Sequence, residues 1–246
     1  MERRAAYPTD TQHVVNLSGY VWAARQLGAL RRGRILDLSC GTGYGADYLG
    51  TCADRIVAID CIPEVVATSR SNYPRLNVHF LTMDGCALGF RDEAFDCIVS
   101  QDTIEHIPDD GRFVAELTRV LKPRGTLIIF TPHGKGRRIK PSDPYHIREY
   151  TAQEFGDLLA PHFSAIRWFG RRQGHRLKTA ERSMDTVCTL DPLGLRTCIP
   201  RPVRHWIGSL VSRLHGGPDL GDLVPGDIEY TEGIAEDTNL IGVCVK

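Results

Sequence analysis

The sequence predicts a doubly wound α/β fold: seven strands, the last antiparallel, alternating with helices and broken by one large helical insertion. Three observations predict it. Residues 34–45, Arg-Ile-Leu-Asp-Leu-Ser-Cys-Gly-Thr-Gly-Tyr-Gly, run a short apolar strand straight into a turn with three alternating glycines, Gly41, Gly43 and Gly45. Short apolar runs then alternate with segments of helical period, the signature of a mostly parallel sheet covered on both faces. Polar residues close these runs, at Asp37, Asp60, Asp84 and Gln101-Asp102, where the carboxyl ends of parallel strands border a ligand crevice.

The elements follow in order. A helix is expected from about Ser18 to Leu30, with Tyr20, Ala23, Ala24, Leu27 and Leu30 on compatible faces, so residues 1–33 read as a lid. The first strand and its glycine turn lead into a helix over Tyr44–Leu49. Arg55–Asp60 is the second strand, and a helix over Pro63–Asn72 follows, with proline at a permitted first-turn position. Asn77–Met83 and Phe95–Ser100 are the third and fourth strands, a helix spans Asp110–Leu121, and Thr126–Thr131 is the fifth strand. From His133 to Pro144 the chain is basic and punctuated by Gly134, Gly136, Pro141 and Pro144, which reads as a substrate loop. Thr151-Ala-Gln-Glu154 is a capping-box start to a helix ending near Ala160, and Phe163–Phe169 is the sixth strand. Asn239–Val245 alternates as an antiparallel seventh strand should. The chain thus reads as one domain: a core over 34–170, an insertion over 171–238 and a final strand over 239–246. Within the insertion, Pro202–Leu214 places Val203, Trp206, Ile207, Leu210, Val211 and Leu214 on one apolar stripe. That stripe either caps the acceptor pocket or joins two copies in a homodimer.

The glycine turn lets backbone N–H groups approach a nucleotide-like ligand, with a helix N-terminus aimed at it. Gly41, Gly43 and Ala46 alone also fit a dinucleotide site, and Asp37 discriminates. A carboxylate four residues before the first glycine repels a pyrophosphate but suits a ligand bearing an ammonium and a sulfonium. S-adenosyl-L-methionine has both. Asp60 ends the second strand, where its carboxylate can accept from both ribose hydroxyls, with Cys61 next to it. Asp84 is placed for the adenine amino group, with Gly85 beside it and Cys86 or Ala87 along the ring, and Gln101 closes the fourth strand.

These residues resemble the class I S-adenosylmethionine-dependent methyltransferases, a Rossmann-like family, and within them the small-molecule, type 11-like branch, over about His13 to Gly170. The resemblance implies cofactor roles for the Gly41–Gly45 loop, Asp60, Asp84 and the segment after the fourth strand, and an aromatic such as Tyr20 near the methionine moiety. Leu-Lys-Pro-Arg-Gly at 121–125 resembles the family's turn before the fifth strand. The activity implied is methyl transfer to an oxygen or nitrogen of a small acceptor, and the 171–238 insertion, large enough to close over a bulky acceptor, points to secondary or glycan metabolism. A hydroxyl acceptor needs a base, and His106 in Asp102-Thr-Ile-Glu105-His106 is the first candidate, His133 the second. Asp102, Glu105 and His106 with the later His146 also form a set of oxygen and imidazole ligands for a divalent metal. Their spacing resembles that of small-RNA 2′-O-methyltransferases, which keeps metal-assisted RNA methylation as the alternative, beside a silent binding module that retains the cofactor fold.

Composition bounds the partners. Lys plus Arg and Asp plus Glu number 30 each in 246 residues, so no net field favours nucleic acid or an anionic membrane, although residues 135–140, Lys-Gly-Arg-Arg-Ile-Lys, are locally basic. With no 18-residue apolar run and no secretory-type apolar segment after Met1, a cytoplasmic protein is expected. The eight cysteines show no Cys-x-x-Cys pair and read as reduced thiols.

Overall fold

The computed structural model describes residues 10–28, 33–137, 139, 141, 143–174, 178, 210, 224–234 and 239–246. Eight strands form one sheet in the order β3-β2-β1-β4-β5-β8-β6-β7: β1 Arg34–Leu38, β2 Arg55–Asp60, β3 Val78–Thr82, β4 Phe95–Gln101, β5 Leu121–Thr131, β6 Ala165–Gln173, β7 Ile228–Glu232 and β8 Asn239–Val245. Pairing is parallel from β3 through β5. The expected antiparallel final strand is β8, which lies between β5 and β6, pairing Ile129 with Gly242 on one side and Trp168 with Gly242 on the other. Among the described residues, five α-helices accompany the sheet: α1 Asp10–Gln26, α2 Tyr44–Gly50, α3 Pro63–Asn72, α4 Asp110–Val120 and α5 Ala152–Leu159.

Three expectations differ from what is observed. The sheet has an eighth strand, β7, at its edge, where Ile228 and Tyr230 alternate between Gly226 and Gly233 inside the segment read as insertion. Helix α1 begins at Asp10 rather than near Ser18. β5 begins at Leu121, because Leu121 already pairs with Phe95 before a register shift absorbs the Pro123-Arg124 corner. The expected helix over Pro202–Leu214 lies outside the described residues.

The chain divides into two compact units. The larger holds Gly19–Arg171 and Tyr230–Lys246, and the smaller holds Arg172–Glu229 with the stretch ending at Ser18. In the larger unit the strand alternation sorts side chains to two faces. Leu36, Leu38, Val57, Ile59, Ile98, Leu127 and Ile129 join Phe113, Val114 and Leu117 of α4 and Phe155 and Leu159 of α5. Ile35, Ile56, Ala58, Cys97, Val99, Ile128 and Phe130 join Tyr20, Trp22 and Ala23 of α1 and Ala46 and Leu49 of α2. Strands buried on both faces explain why the sequence shows near-continuous apolar runs there. Cys97 and Cys244 are among those buried side chains, so their thiols serve as packing. In the smaller unit, Gly174 donates to the Asp227 carbonyl at 2.9 Å and Arg172 pairs with Glu229 at 3.2 Å.

α5 starts as its sequence predicts. Thr151 accepts from the Glu154 backbone N–H at 3.2 Å while the Glu154 carboxylate accepts from the Thr151 N–H at 3.0 Å. This reciprocal cap contributes about 1 kcal/mol and fixes where the chain turns from the 132–150 loop into the helix.

Candidate active site

The strand order reverses between β1 and β4, and both strands end in strained backbone. Ser39 after β1 has φ 61° and Asp102 after β4 has φ 48°, a left-handed conformation rare for residues with a Cβ. In doubly wound sheets that junction is where the ligand crevice opens.

The β1 side is a backbone cradle. Cys40 N–H donates to the Ile59 carbonyl at 2.8 Å, which ties the glycine loop to β2. The Asp60 carboxylate accepts from the N–H of Gly41 at 3.0 Å and of Ile62 at 3.1 Å, one bond per oxygen. A carboxylate has about four acceptor sites, so two remain for hydroxyl donors. Gly41 stands at φ 51°, and a Cβ added there would meet nothing within 4 Å. Glycine is favoured there by conformation and leaves open space for a ligand, whereas Gly43 and Gly45 are filled in from behind. A Cβ on Gly43 would lie 2.7 Å from Ser69 Cβ, and one on Gly45 would lie 2.1 Å from the Tyr20 ring.

Asp37 sits beneath this loop with no exposed surface. Its Oδ1 accepts from the Tyr20 hydroxyl at 3.0 Å, while Oδ2 is buried without a hydrogen-bond partner among the described residues. Burial pushes the Asp37 carboxyl up to about 7, against the lowering effect of the Tyr20 hydrogen bond and with a further upward push from Asp60. Tyr20 is itself buried, packed edge-on to Tyr44 at 5.8 Å, and is a support of the loop rather than part of its open face. Asp84 is exposed after β3, with Oδ1 accepting from Cys86 N–H at 2.8 Å, and Gly85 lies against Phe113. Cys61 is exposed just after β2. Gln101 is buried at the end of β4, its side chain occupying the space a Cβ on Gly19 would need.

The β4 side is built from side chains. Asp102 accepts from Arg171 and Asn239, each at 3.3 Å. A short 3₁₀ turn, Ile104–His106, then brings Glu105 and His106 forward. Glu105 is fully buried, with Oε2 accepting from the Thr131 hydroxyl at 3.2 Å and Oε1 without a partner among the described residues. Burial first and Asp102 second push its carboxyl well above the usual range. The loop after β5 folds back here: Ile147 N–H donates to the Glu105 carbonyl at 2.9 Å, and the His146 ring lies 5.0 Å from that of His106. His106 Nδ1 is 2.9 Å from the Tyr145 carbonyl and His146 Nδ1 is 2.8 Å from Glu149 Oε1. A carbonyl can only accept, so His106 Nδ1 carries a proton, and in the neutral ring the lone pair is then on Nε2. His133 pairs through its backbone with Tyr150.

The metal set read from the sequence therefore changes by one member. Glu105, His106 and His146 converge, while Asp102 turns to Arg171 and Asn239. Sequence reasoning missed these two partners, as it missed Asp110, which accepts from Tyr150 at 2.8 Å and pairs with Arg137 at 2.7 Å and Arg148 at 2.6 Å. Only the acidic N-terminus of the 110 helix and the basic loop hinted at that cluster.

Residues 36–129 match a methyltransferase domain family. Over those residues the chain carries a methyltransferase domain. A probable S-adenosylmethionine-dependent methyltransferase of Mycobacterium tuberculosis is 38% identical over 128 residues, covering 51% of this chain and 46% of that protein. A ubiquinone biosynthesis O-methyltransferase of Azorhizobium caulinodans is 29% identical over 110 residues, 44% of each chain. The chain thus spans about half the length of the curated relatives it matches. Among solved structures, a possible histamine N-methyltransferase from Thermotoga maritima superposes with a TM-score of 0.62 over 96% of this chain and 91% of that one at 18% identity, a likeness of fold alone. The domain's cofactor is S-adenosyl-L-methionine, and the glycine cradle with Asp60 fits it: acceptor sites for two hydroxyls lie beside a backbone turn with room for a ligand. Among the described residues no helix is long and apolar enough to cross a membrane.

Proposed function

We propose that this chain transfers a methyl group from S-adenosyl-L-methionine to a hydroxyl oxygen of a small-molecule acceptor that enters between the ends of β4 and β5. The observation that carries the reading is the junction of two unlike devices at one strand reversal: the Gly41–Asp60 cradle on one side and the imidazole of His106 on the other. Bound in the cradle, the cofactor supplies an electrophilic methyl on a sulfonium.

The protein's tasks are then positional. Asp60 holds the ribose hydroxyls, Asp84 the adenine amino group, and Gly41, Gly43, Gly45, Cys61, Gly85 and Gln101 shape the walls. Asp37, propped by Tyr20, sets a carboxylate oxygen under the loop, where a cationic ligand favours its ionised form. His106 offers its Nε2 lone pair to the acceptor hydroxyl and takes or orients its proton, with His133 as the second candidate. Transfer forms a C–O bond as the S–C bond breaks and its electron pair stays on sulfur. Nothing more than alignment and a partly dry site is asked of the remaining residues. The named O-methyltransferase relative supports an oxygen acceptor. A second reading, metal-assisted methylation of an RNA 2′-hydroxyl, is favoured by the convergence of Glu105, His106 and His146, and opposed by the balanced charge.

Calorimetry on the purified chain tests the cofactor half. S-adenosylhomocysteine should bind in preference to NAD, and Asp60→Ala should weaken it by about 1–3 kcal/mol, the cost of losing charge-assisted hydrogen bonds. Binding of NAD with none of S-adenosylhomocysteine would sink the reading. Labelled cofactor offered with pooled hydroxylated, amine and RNA acceptors then tests the acceptor class.

A further inference from the structure

We propose that Glu105, His106 and His146 bind a divalent transition-metal ion at the acceptor side of the site. One ligand atom from each lies within 4.8 Å of the other two. An ion at about 2.1 Å from each donor draws such atoms to about 3–4 Å apart, so a contraction of about one ångström closes the site.

Three further observations point to a cation here. Glu105 buries its whole side chain yet leaves Oε1 without a partner among the described residues, an arrangement a bound cation compensates. Thr131 donates to the other oxygen at 3.2 Å and fixes how the carboxylate faces the cluster. Both histidines have Nδ1 against an acceptor, the Tyr145 carbonyl at 2.9 Å and Glu149 Oε1 at 2.8 Å, which in the neutral ring leaves Nε2 as the ligand atom; Asp143 Oδ2, 3.7 Å from His146 Nε2, is the carboxylate an ion there would have to displace. Glu149 behind His146 is the carboxylate–imidazole backing that raises ligand basicity. Asp102 is not a fourth ligand, since Arg171 and Asn239 hold it.

The donor set selects the ion. Two imidazole nitrogens and one carboxylate oxygen suit Mn²⁺, Fe²⁺, Co²⁺ or Zn²⁺, whereas Mg²⁺ and Ca²⁺ take oxygen shells. Three protein ligands leave positions open for the acceptor's hydroxyl, which loses its proton to solvent more readily on the ion before its oxygen attacks the methyl carbon. His106 then serves as a ligand rather than as the base. This role rests on the acceptor position proposed above, but the binding itself does not.

The full-length chain, stripped with a chelator and dialysed, is titrated with Co²⁺ while its visible spectrum is read, and with Zn²⁺, Mn²⁺ and Mg²⁺ by equilibrium dialysis. One equivalent of Co²⁺ or Zn²⁺ should bind, with Mg²⁺ at least tenfold weaker. His146→Ala should weaken binding 100-fold or more, and Glu149→Gln about tenfold through the ring it backs. Circular dichroism and S-adenosylhomocysteine affinity, both unchanged, certify that these variants fold. Binding that is equal in His146→Ala, or absent for Co²⁺ and Zn²⁺ at millimolar concentration, overturns the site. That failure leaves the methyltransferase reading intact, which fails instead if the unmutated chain does not bind S-adenosylhomocysteine.

Discussion

On the β1 side of the crevice, Asp60 reaches Gly41 across 19 residues and the contacts are to backbone N–H groups. On the β4 side, the Asp102 carboxylate is held by the side chains of Arg171 and Asn239, 69 and 137 residues further along. The first arrangement is local and depends on chain conformation, so it follows from the glycine turn itself. The second is assembled from remote segments whose side chains can change without disturbing the sheet. A scaffold with one fixed wall and one adaptable wall can keep its cofactor while its acceptor varies.

The sharpest way to break this division is to remove His106. On the acceptor side His106→Ala should lower turnover by about 10²–10⁴-fold for a hydroxyl acceptor, whether the ring takes the proton itself or holds the ion that acidifies the hydroxyl, and leave S-adenosylhomocysteine affinity nearly unchanged. Single-turnover assays and calorimetry on the same variant check both halves of that statement. Unchanged turnover shifts the assignment to His133.

The two walls were also unequally legible in the sequence. Asp37, the glycines and Asp60 are contiguous with strands whose apolar runs announce them, so spacing alone locates the cradle. Tyr20 is different: only its proximity to Asp37 and Gly45 in space makes it a prop for the loop, and no periodicity in α1 reveals that. On the far wall, the motif around Glu105-His106 was visible, and His146 stood out as a ligand type. Which carboxylate joined them was not, because that depends on Arg171 and Asn239 arriving from β6 and β8. The β7 strand was missed because two alternating apolar residues give too little pattern against a long irregular segment.

A substitution behind the cradle should cost stability rather than chemistry. In Gly45→Ala the new methyl would sit 2.1 Å from the Tyr20 ring, which must swing off Asp37 or push α1 outward. Overpacking of this kind costs about 3 kcal/mol. Denaturant unfolding should show it, and Gly45→Ala should cost less when made in a Tyr20→Ala background, where the methyl has room, than it does alone. An unaltered midpoint for the single variant would falsify the packing described for Gly45.

Asp37 gives the cradle a pH signature. Its carboxyl titrates near 4 in the unfolded chain but is pushed up to about 7 in the fold by burial, so between these values the folded state holds more protons. Stability therefore falls as pH rises through that window, with about 2 kcal/mol lost between pH 5 and pH 8 from this group. Tyr20, Cys40 and Asp60 are the neighbours that share its field. Chemical denaturation at a series of pH values should show the slope in the native chain and a flatter one in Asp37→Asn, which keeps the oxygen that accepts from Tyr20. A slope of the same size in both would move its origin elsewhere, Glu105 being the other buried carboxyl pushed upward.

The smallest expected effect tests whether the adaptable wall can be loosened alone. Tyr150 is fully buried and donates to Asp110 Oδ2 at 2.8 Å, the oxygen that Arg137 and Arg148 also face. These contacts tie the loop after β5 to the start of α4, and the Arg137 guanidinium additionally lies 5.6 Å from the centre of the Tyr150 ring. Tyr150→Phe keeps the ring against Phe155 and under Arg137 while removing one hydrogen bond to a carboxylate that two arginines still satisfy. The loss should be about 1 kcal/mol, since the acceptor left behind is not orphaned. Faster amide exchange at Ile147 and Arg148, whose N–H groups face the Glu105 carbonyl, should accompany it, because the 143–150 stretch is anchored through both ends of this contact set. S-adenosylhomocysteine affinity should stay within twofold of the native value. A parallel drop in that affinity would mean that the two walls share one cooperative unit, and that an acceptor loop cannot be retuned without disturbing the cofactor cradle.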